Sequence, residues 1–329
     1  MINIEKKKKV SVLITTYNLE KYIEEALKSV CEQKVDFEYE VIVADDASTD
    51  KTTDIIRKMQ NRYPDKIILK KCEKNIGSLA NSNRIFANVD TEYFAFLDGD
   101  DFWNTPYYLK ERIDFLEKNR DYTMCASNTK YIRNGDWAEN VIEQGKTGRS
   151  YEFEDYLKGK IPFVHTSSIV FRNVIFDAGL PQIYKEAVGE YYECALRGEY
   201  IRFLLHLEKG KIYVTTDIDS SYRIHEKGIW QGASRNRQIL EGTIQEFYIY
   251  KMWKEKYPTV FEARFMSAYR NMMRELEKGY MFNEKETELF CKFLQAISIG
   301  NIEWEEIENI SKARSIGSRI LKWKNALRG

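Results

Sequence analysis

Residues 93–103 read YFAFLDGDDFW: five apolar residues, Tyr93 to Leu97, run straight into three carboxylates, Asp98, Asp100 and Asp101, with Gly99 between the first two. A short apolar run without alternation is the pattern of a strand buried on both faces. Three like charges within four residues repel one another, so they are tolerable in water or around a cation. Carboxylate oxygens suit a hard divalent ion, Mg2+ or Mn2+, that keeps positions open for phosphate oxygens. The plainer reading is a solvated Asp/Gly turn. Its place at the end of a buried strand favours the ion.

Working back from this stretch, the same alternation recurs. Val10 to Ile14, Tyr39 to Ala44 and Ile67 to Leu69 are apolar runs of strand length. Between them Leu19, Tyr22, Ile23, Ala26, Leu27, Val30 and Cys31 fall at helical spacing, as do Ile55, Ile56 and Met59 before Pro64, and a third helix covers Leu79 to Val89. Strands of this type separated by amphipathic helices predict an α/β fold: a mostly parallel sheet covered on both faces, with right-handed crossovers. Ligands of such sheets bind beyond the C-terminal strand ends. Polar groups stand at three of those ends: Thr15-Thr16-Tyr17-Asn18, Asp45-Asp46 and the Asp98–Asp101 cluster. Asp45 or Asp46 reads as a ligand contact and Ser48 to Asp50 as helix caps. Thr15 to Asn18 could hold a nucleobase by stacking and hydrogen bonding, or form only a turn before the Leu19 helix.

Working forward, Leu109, Ile113 and Leu116 mark another helix, and residues 122–172 are strand-rich, most clearly Tyr122 to Ala126 and Ser168 to Phe171. From Asn236 apolar residues recur at threes and fours, as in Ile239, Ile244, Phe247 and Tyr248, with no strand pattern left. The sequence therefore predicts two domains, 1–235 of α/β type and 236–329 all helical.

Composition narrows the function. The chain has 329 residues, 43% hydrophobic and 31% charged, which excludes a disordered or fibrous protein. Lys plus Arg number 51 and Asp plus Glu 51, so the net charge is zero and a nucleic-acid partner is not expected. No apolar window is long enough to span a bilayer, and the basic N-terminal run is followed by no signal-peptide core. Five scattered cysteines with no CxxC pair point to a reducing compartment, the cytoplasm, and away from a disulfide or zinc scaffold. The 22 tyrosines suit an enzyme that handles a ring-shaped polar substrate.

The segments VSVLITTYN (10–18), YEVIVADDASTDKT (39–52), NIGSLANSNR (75–84) and YFAFLDGDDFW (93–103), in this order and spacing, resemble the family 2 glycosyltransferases with the GT-A fold. Gly198 to Ile212 and Ser221 to Trp230 look like that family's C-terminal catalytic half, so the resemblance covers about residues 8–235. It implies transfer of a sugar from a nucleotide-sugar, a UDP-sugar foremost, to a glycan or lipid-linked acceptor, in the setting of bacterial surface polysaccharide synthesis. By the same resemblance Thr15, Tyr17 and Asp46 hold the nucleoside, Asp98 contacts ribose or a water, and Asp100 binds Mn2+ or Mg2+. His225 sits near the diphosphate and metal, flanked by Arg223 and Trp230. The catalytic base matches Glu199, where the family often has Asp, while Glu190 and Glu193 stand close by in GEYYE.

These residue types fit the chemistry. A divalent ion stabilises the charge growing on the leaving diphosphate. A carboxylate takes the proton of an attacking hydroxyl. A base opposite the leaving group gives single in-line displacement with inversion. His206 in FLLHL reads as structural, and His165 either lines the acceptor site or is structural. Two other readings stay open. A non-catalytic nucleotide-sugar or glycan-binding module survives because three glutamates compete for the base. A nucleotidyltransferase needs a basic Gly-rich loop, and residues 8–30 contain none.

Residues 311–329 carry Lys312, Arg314, Arg319, Lys322, Lys324 and Arg328 with no acidic side chain, and Ile316, Ile320, Leu321, Trp323 and Leu327 can share one helical side. This is either a peripheral membrane-surface helix on the inner face of the cell membrane or a closing helix packed on the protein or on a second subunit of a homodimer. Lys6 to Lys9 reads as a solvated terminus.

Overall fold

Strand β1 (Val10–Thr16) is buried along nearly its whole length and lies between β2 (Tyr39–Asp45) and β4 (Tyr93–Asp98), parallel to both. Strand β3 (Ile67–Lys71) extends the parallel block beyond β2. The crossovers are the helices α1 (Ile23–Cys31), α2 (Thr52–Arg62) and α3 (Ser78–Phe86). This is a computed structural model, and it describes residues 8–133, 135–225, 228–278 and 282–299. The predicted fold class holds: a mixed α/β fold with a mostly parallel central sheet, followed by C-terminal helices.

Helix α1 starts four residues later than its apolar stripe suggests. The backbone N–H groups of Leu19 and Glu20 are taken by Thr52 Oγ1 at 2.8 Å and Asp50 Oδ2 at 3.1 Å, so Leu19 to Tyr22 form a turn tied to the neighbouring loop. The core joins Val12, Ile14, Val41, Val43, Ala95 and Leu97 of the strands to Ala26, Leu27 and Val30 of α1 and to Leu109, Ile113 and Leu116 of α4 (Tyr108–Lys118). Lys8 and Lys9 are not simply solvated: they pair with Glu40 and Glu117.

Beyond β4 the sheet becomes mixed. After the short β5 (Phe102–Trp103) come β6 (Tyr122–Arg133), β7 (Asp136–Asn140), β8 (Arg149–Tyr151), α5 (Phe153–Leu157), a 3-10 turn (Thr166–Ser168), β9 (Ile169–Arg172), α6 (Gln182–Glu186), α7 (Glu193–Arg197), α8 (Tyr200–Leu207) and β10 (Lys211–Ile224). The order across the sheet is β3-β2-β1-β4-β9-β6-β10-β5, with β7 on β6 and β8 on β10. Strand β9 enters antiparallel between β4 and β6, pairing Tyr93 with Arg172, Phe94 with Phe171 and Ala95 with Val170. Arg172 locks this junction: its guanidinium donates to the Leu116 carbonyl at 2.6 Å, the Tyr93 hydroxyl at 2.9 Å and the Tyr122 carbonyl at 3.2 Å.

The chain divides into two compact units, the first ending at Gly232 and the second beginning at Ala233. The second unit contains α9 (Arg235–Trp253), α10 (Pro258–Glu277) and α11 (Glu284–Ile299). Ser234 caps α9 by accepting from the Arg237 N–H at 3.1 Å, and Pro258 opens α10, where its missing N–H costs nothing. Leu240, Ile244, Phe247, Phe261, Phe265 and Phe293 form its buried interior. Among the described residues no helix is long and apolar enough to cross a membrane. The basic stretch 311–329 lies outside the described residues.

Candidate active site

The ends of β1 and β2 are bound to each other by side chains. Asn18 (φ 55°) and Ala47 (φ 61°) both occupy the left-handed region, which costs free energy for residues other than glycine. The surrounding bonds hold them there. The Asn18 N–H donates to Ser48 Oγ at 2.9 Å, and Asn18 Oδ1 accepts from the Thr49 N–H at 2.8 Å. Ser48 is therefore not a helix cap but a tie between loops; its hydroxyl donates to Asp45 Oδ1 at 2.6 Å. Asp45 also accepts from the Ser48 N–H and Thr53 Oγ1 and is fully buried, which gives it a structural role. Asp46 spans the next loop, accepting from the Ile76 N–H at 2.8 Å and the Gly77 N–H at 3.0 Å. Tyr17 is 45% exposed beside these loops, and Thr15 is half-buried.

The acidic turn folds back on β1. Gly99 N–H donates to the Thr15 carbonyl at 3.1 Å, and a Cβ at residue 99 would stand 2.8 Å from that same oxygen, so only glycine fits the approach. The three carboxylates then part company. Asp101 points inward, fully buried, and accepts from Ser167 Oγ at 2.7 Å and the Arg223 N–H at 3.1 Å. Burial and the neighbouring Asp100 and Asp98 push its pKa well up. Asp98 and Asp100 are only half-buried. The Asp98 pKa is pushed up to about 7 by desolvation, then by Asp100 and Glu199, with Arg202 opposing.

Strand β10 brings the second half of the chain to this turn. His225, just past its end, donates from Nε2 to Asp100 Oδ2 at 2.8 Å and stacks against Tyr22 with ring centres 4.8 Å apart. The Arg223 guanidinium is committed elsewhere: it donates to the Asp100 carbonyl at 2.5 Å, pairs with Glu25 and lies over the rings of Phe102 and Tyr22. Trp230 is 46% exposed.

Of the three glutamates, Glu199 belongs to the cluster. It precedes α8, and its charge bears on Asp98 while Arg202 bears on it. Desolvation raises its pKa, and Arg202 partly offsets this. Glu193 is used by the Gly189 N–H at 2.9 Å, and Glu190 is exposed.

Ser167 and Arg202, which nothing in the sequence singles out, complete the site together with His165, which the sequence leaves as either acceptor-lining or structural. Ser167 joins three segments: besides Asp101, its hydroxyl accepts from the Asp98 N–H at 3.3 Å and its carbonyl from Trp103 Nε1 at 2.8 Å. Arg202 is buried among Phe86, Phe96 and Phe171 and donates to Thr166 Oγ1 at 2.7 Å. His165 is buried, 3.7 Å from Asp101, and desolvation drops its pKa to about 4, so it is neutral near pH 7. One signal was available for Asp101, its place within the acidic turn. Ser167 and Arg202 lie in stretches that look like ordinary strand and helix.

The donor set can be tested against a divalent ion. Asp98, Asp101 and His165 bring ligand atoms within 4.8 Å of one another. However, each Asp101 oxygen already accepts a hydrogen bond, from Ser167 Oγ and from the Arg223 N–H, and His165 Nδ1 accepts from the Ser167 N–H at 3.3 Å. Asp98 and Asp100 keep unused lone pairs, and the His225 imidazole lies against Asp100. Half-buried carboxylates with mutual repulsion and a neighbouring imidazole fit Mn2+ or Mg2+.

The sequence profile of Glycosyl transferase family 2 matches residues 11–180. The chain belongs to that family. An uncharacterised protein of Mycobacterium tuberculosis is 28% identical to it over 231 residues, 70% of this chain and 62% of that protein, so the chain spans less than two thirds of that relative's length. Among solved structures, Staphylococcus aureus TarS residues 1–349 in complex with UDP-GlcNAc matches with a TM-score of 0.54 at 19% identity, covering 81% of each chain. The mannosyltransferase PcManGT of Pyrobaculum calidifontis, in complex with GDP-Man and Mn2+, matches with a TM-score of 0.53 at 16% identity, covering 96% of this chain and 83% of the other. At these identities the glycosyltransferase neighbours share the fold.

Proposed function

We propose that the protein is an inverting, metal-dependent glycosyltransferase that moves a sugar from a nucleoside diphosphate sugar to a hydroxyl of a glycan or lipid-linked acceptor in surface polysaccharide synthesis. The observation that carries this reading is the convergence of Asp98, Asp100, Glu199 and His225, from two distant parts of the chain, on one sheet edge beside the interlocked β1 and β2 loops. The complexes of TarS with UDP-GlcNAc and of PcManGT with GDP-Man and Mn2+ support a nucleotide-sugar donor, and we favour a UDP-sugar. Five unbridged cysteines suit the reducing cytoplasm.

In this reading Thr15, Tyr17 and the Asp46 loop bind the nucleoside, with Asp98 toward the ribose. Asp100 and His225 hold a divalent ion, which when bound supplies Lewis acidity to the leaving diphosphate. Arg223 fixes the acidic turn through the Asp100 carbonyl, and Trp230 borders the donor. Glu199 takes the proton from the acceptor hydroxyl as it attacks. Desolvation raises its pKa, which makes its carboxylate a stronger base than a solvated glutamate. Because the chain offers this carboxylate as a base and needs no covalent intermediate, the anomeric centre inverts.

Thermal-shift measurements with nucleotide-sugars, with and without Mn2+, test the donor class. Metal-dependent release of nucleoside diphosphate, with NMR of the product anomer, then tests the reaction. Nucleotide stabilisation without any metal-dependent release would leave a binding module instead.

A further inference from the structure

We propose that Phe163, Tyr222 and Tyr131 form a stacking surface for the sugar rings of the acceptor, so that the acceptor is a saccharide gripped by a ring as well as by its reacting hydroxyl. The inference rests on the glycosyltransferase reading above and names the acceptor class for the same site.

The surface begins at the acidic turn. His165, 3.7 Å from Asp101, stacks on Tyr222 with centres 4.3 Å apart and planes 25° apart. Phe163 meets His165 edge-on at 6.3 Å. On the other side Tyr131 lies 5.6 Å from Tyr222, tilted by 49°, because β6 and β10 run parallel with these two residues in register. The Tyr222 hydroxyl feels the charges of Asp98, Asp100 and Asp101, and burial pushes its pKa up. The row of rings is thus continuous with the carboxylates.

These rings are unlike those of the core. Phe94 and Phe171 are fully buried, whereas Phe163 is 42% exposed and Tyr131 and Tyr222 are half-buried. A pyranose presents one face of weakly positive C–H bonds to the negative face of an aromatic ring, while its hydroxyls stay at the rim. The Gln231 side chain, hydrogen-bonded to Tyr222, stands beside these rings. The nucleobase is not the occupant, because Tyr17 and Asp46 lie at the ends of β1 and β2, across β4 and β9 from β6 and β10. Arg133, over the Tyr131 ring at 5.9 Å, is paired with Glu139 at 3.0 Å, so the surface offers rings rather than an unpaired guanidinium at this point.

Saturation-transfer NMR tests the proposal, using the full chain with UDP and Mn2+ and three probes: cellobiose, N,N′-diacetylchitobiose and maltose. The expected result is transfer to the ring protons on one face of at least one probe. Binding should be about 3- to 10-fold weaker in Tyr131→Ala and in Phe163→Ala, and within about twofold of wild type in Tyr131→Phe, which keeps the ring. Absence of transfer to all three probes, or undiminished transfer in both alanine variants, overturns the surface. The same samples separate this from failure of the underlying reading. If neither uridine, guanosine nor thymidine diphosphate with Mn2+ raises the melting temperature, the glycosyltransferase reading fails. If one does and the saccharide signal is missing, only the surface fails.

Discussion

Nε2 of His225 donates to Oδ2 of Asp100 across 2.8 Å, although 125 residues separate them in the chain. A pair so distant in sequence and so close in space is built by the fold: β4 delivers the aspartate and β10 the histidine, from opposite sides of β9. The contact gives the metal assignment two handles. Asp100→Ala should abolish metal-dependent donor turnover and Mn2+-dependent stabilisation while the metal-free melting temperature changes little. His225→Ala should weaken Mn2+ binding but keep the fold. Calorimetric titration of Mn2+ in the presence of UDP reads both. Unchanged Mn2+ affinity in Asp100→Ala would refute the assignment.

Glu199→Gln should lower kcat by roughly 10²–10⁴-fold with donor affinity retained, because Gln keeps the shape but cannot take a proton. Glu190→Gln and Glu193→Gln should stay within a few-fold of wild type. The pH profile provides a second test. The base must be ionised, so the rate should rise with pH on the acidic limb. Desolvation puts that limb above the ordinary glutamate value of 4.5. In Glu199→Gln the limb should vanish.

Asp46→Ala removes the acceptor for two backbone N–H groups at once. Both N–H groups are part-buried, and the Gly77 N–H keeps Asn75 Oδ1 at 3.2 Å, so the cost lies at the low end of the about 1–3 kcal/mol for an unsatisfied buried donor. Stability and donor KM should therefore both worsen, with kcat the least affected. A denaturant titration alongside kinetics separates the two; a large loss of kcat with KM unchanged would contradict a nucleoside-side role.

Gly99→Ala places a methyl group 2.8 Å from the Thr15 carbonyl and 3.1 Å from Thr16 Cβ. Backbone atoms cannot step aside as a flexible side chain can, so the turn must lift off β1 at a cost of about 1–3 kcal/mol. Equilibrium unfolding should register that loss, and Mn2+ affinity should fall with it.

His206 is fully buried among Phe94, Phe171 and Phe176 and donates from Nδ1 to the Arg202 carbonyl at 2.7 Å. Burial drops its pKa from 6.5 to about 3. A depressed folded-state value means stability that is complete above pH 6.5 and lost as pH falls toward 3. Between pH 6.5 and 4.5 this one imidazole should remove on the order of 2–3 kcal/mol. His206→Leu should lose less stability over that interval than wild type; equal losses would show that the ring does not titrate this way.

Most of the first hundred residues could be read directly, because buried parallel strands announce themselves as unbroken apolar runs and the helices between them carry clear stripes. The acidic turn was legible for the same reason: charge immediately after a buried strand needs an explanation. The division of labour within it was not. Whether Asp98, Asp100 or Asp101 turns inward depends on Ser167 and on the Arg223 backbone, and neither is near the turn in sequence. Likewise Asp45 and Asp46 are adjacent and chemically identical, yet one closes a buried knot with Ser48 and Thr53 while the other pins residues 76 and 77. The mixed half of the sheet was harder, since β9 is a four-residue strand whose antiparallel course is set by tertiary pairing.

That strand has a wider consequence. The parallel block β1 to β4 meets the rest of the sheet through only three paired positions on β9, clamped by Arg172. A short joint lets either side change sequence and loop length without shifting the register of the other. Descendants of such a scaffold can thus inherit one half nearly intact while drifting in the second, provided the residues that reach across, among them Ser167, Arg172, Arg202, Arg223 and His225, are carried along. Hybrid chains spliced between relatives should accordingly fold when those residues travel together with the groups they touch.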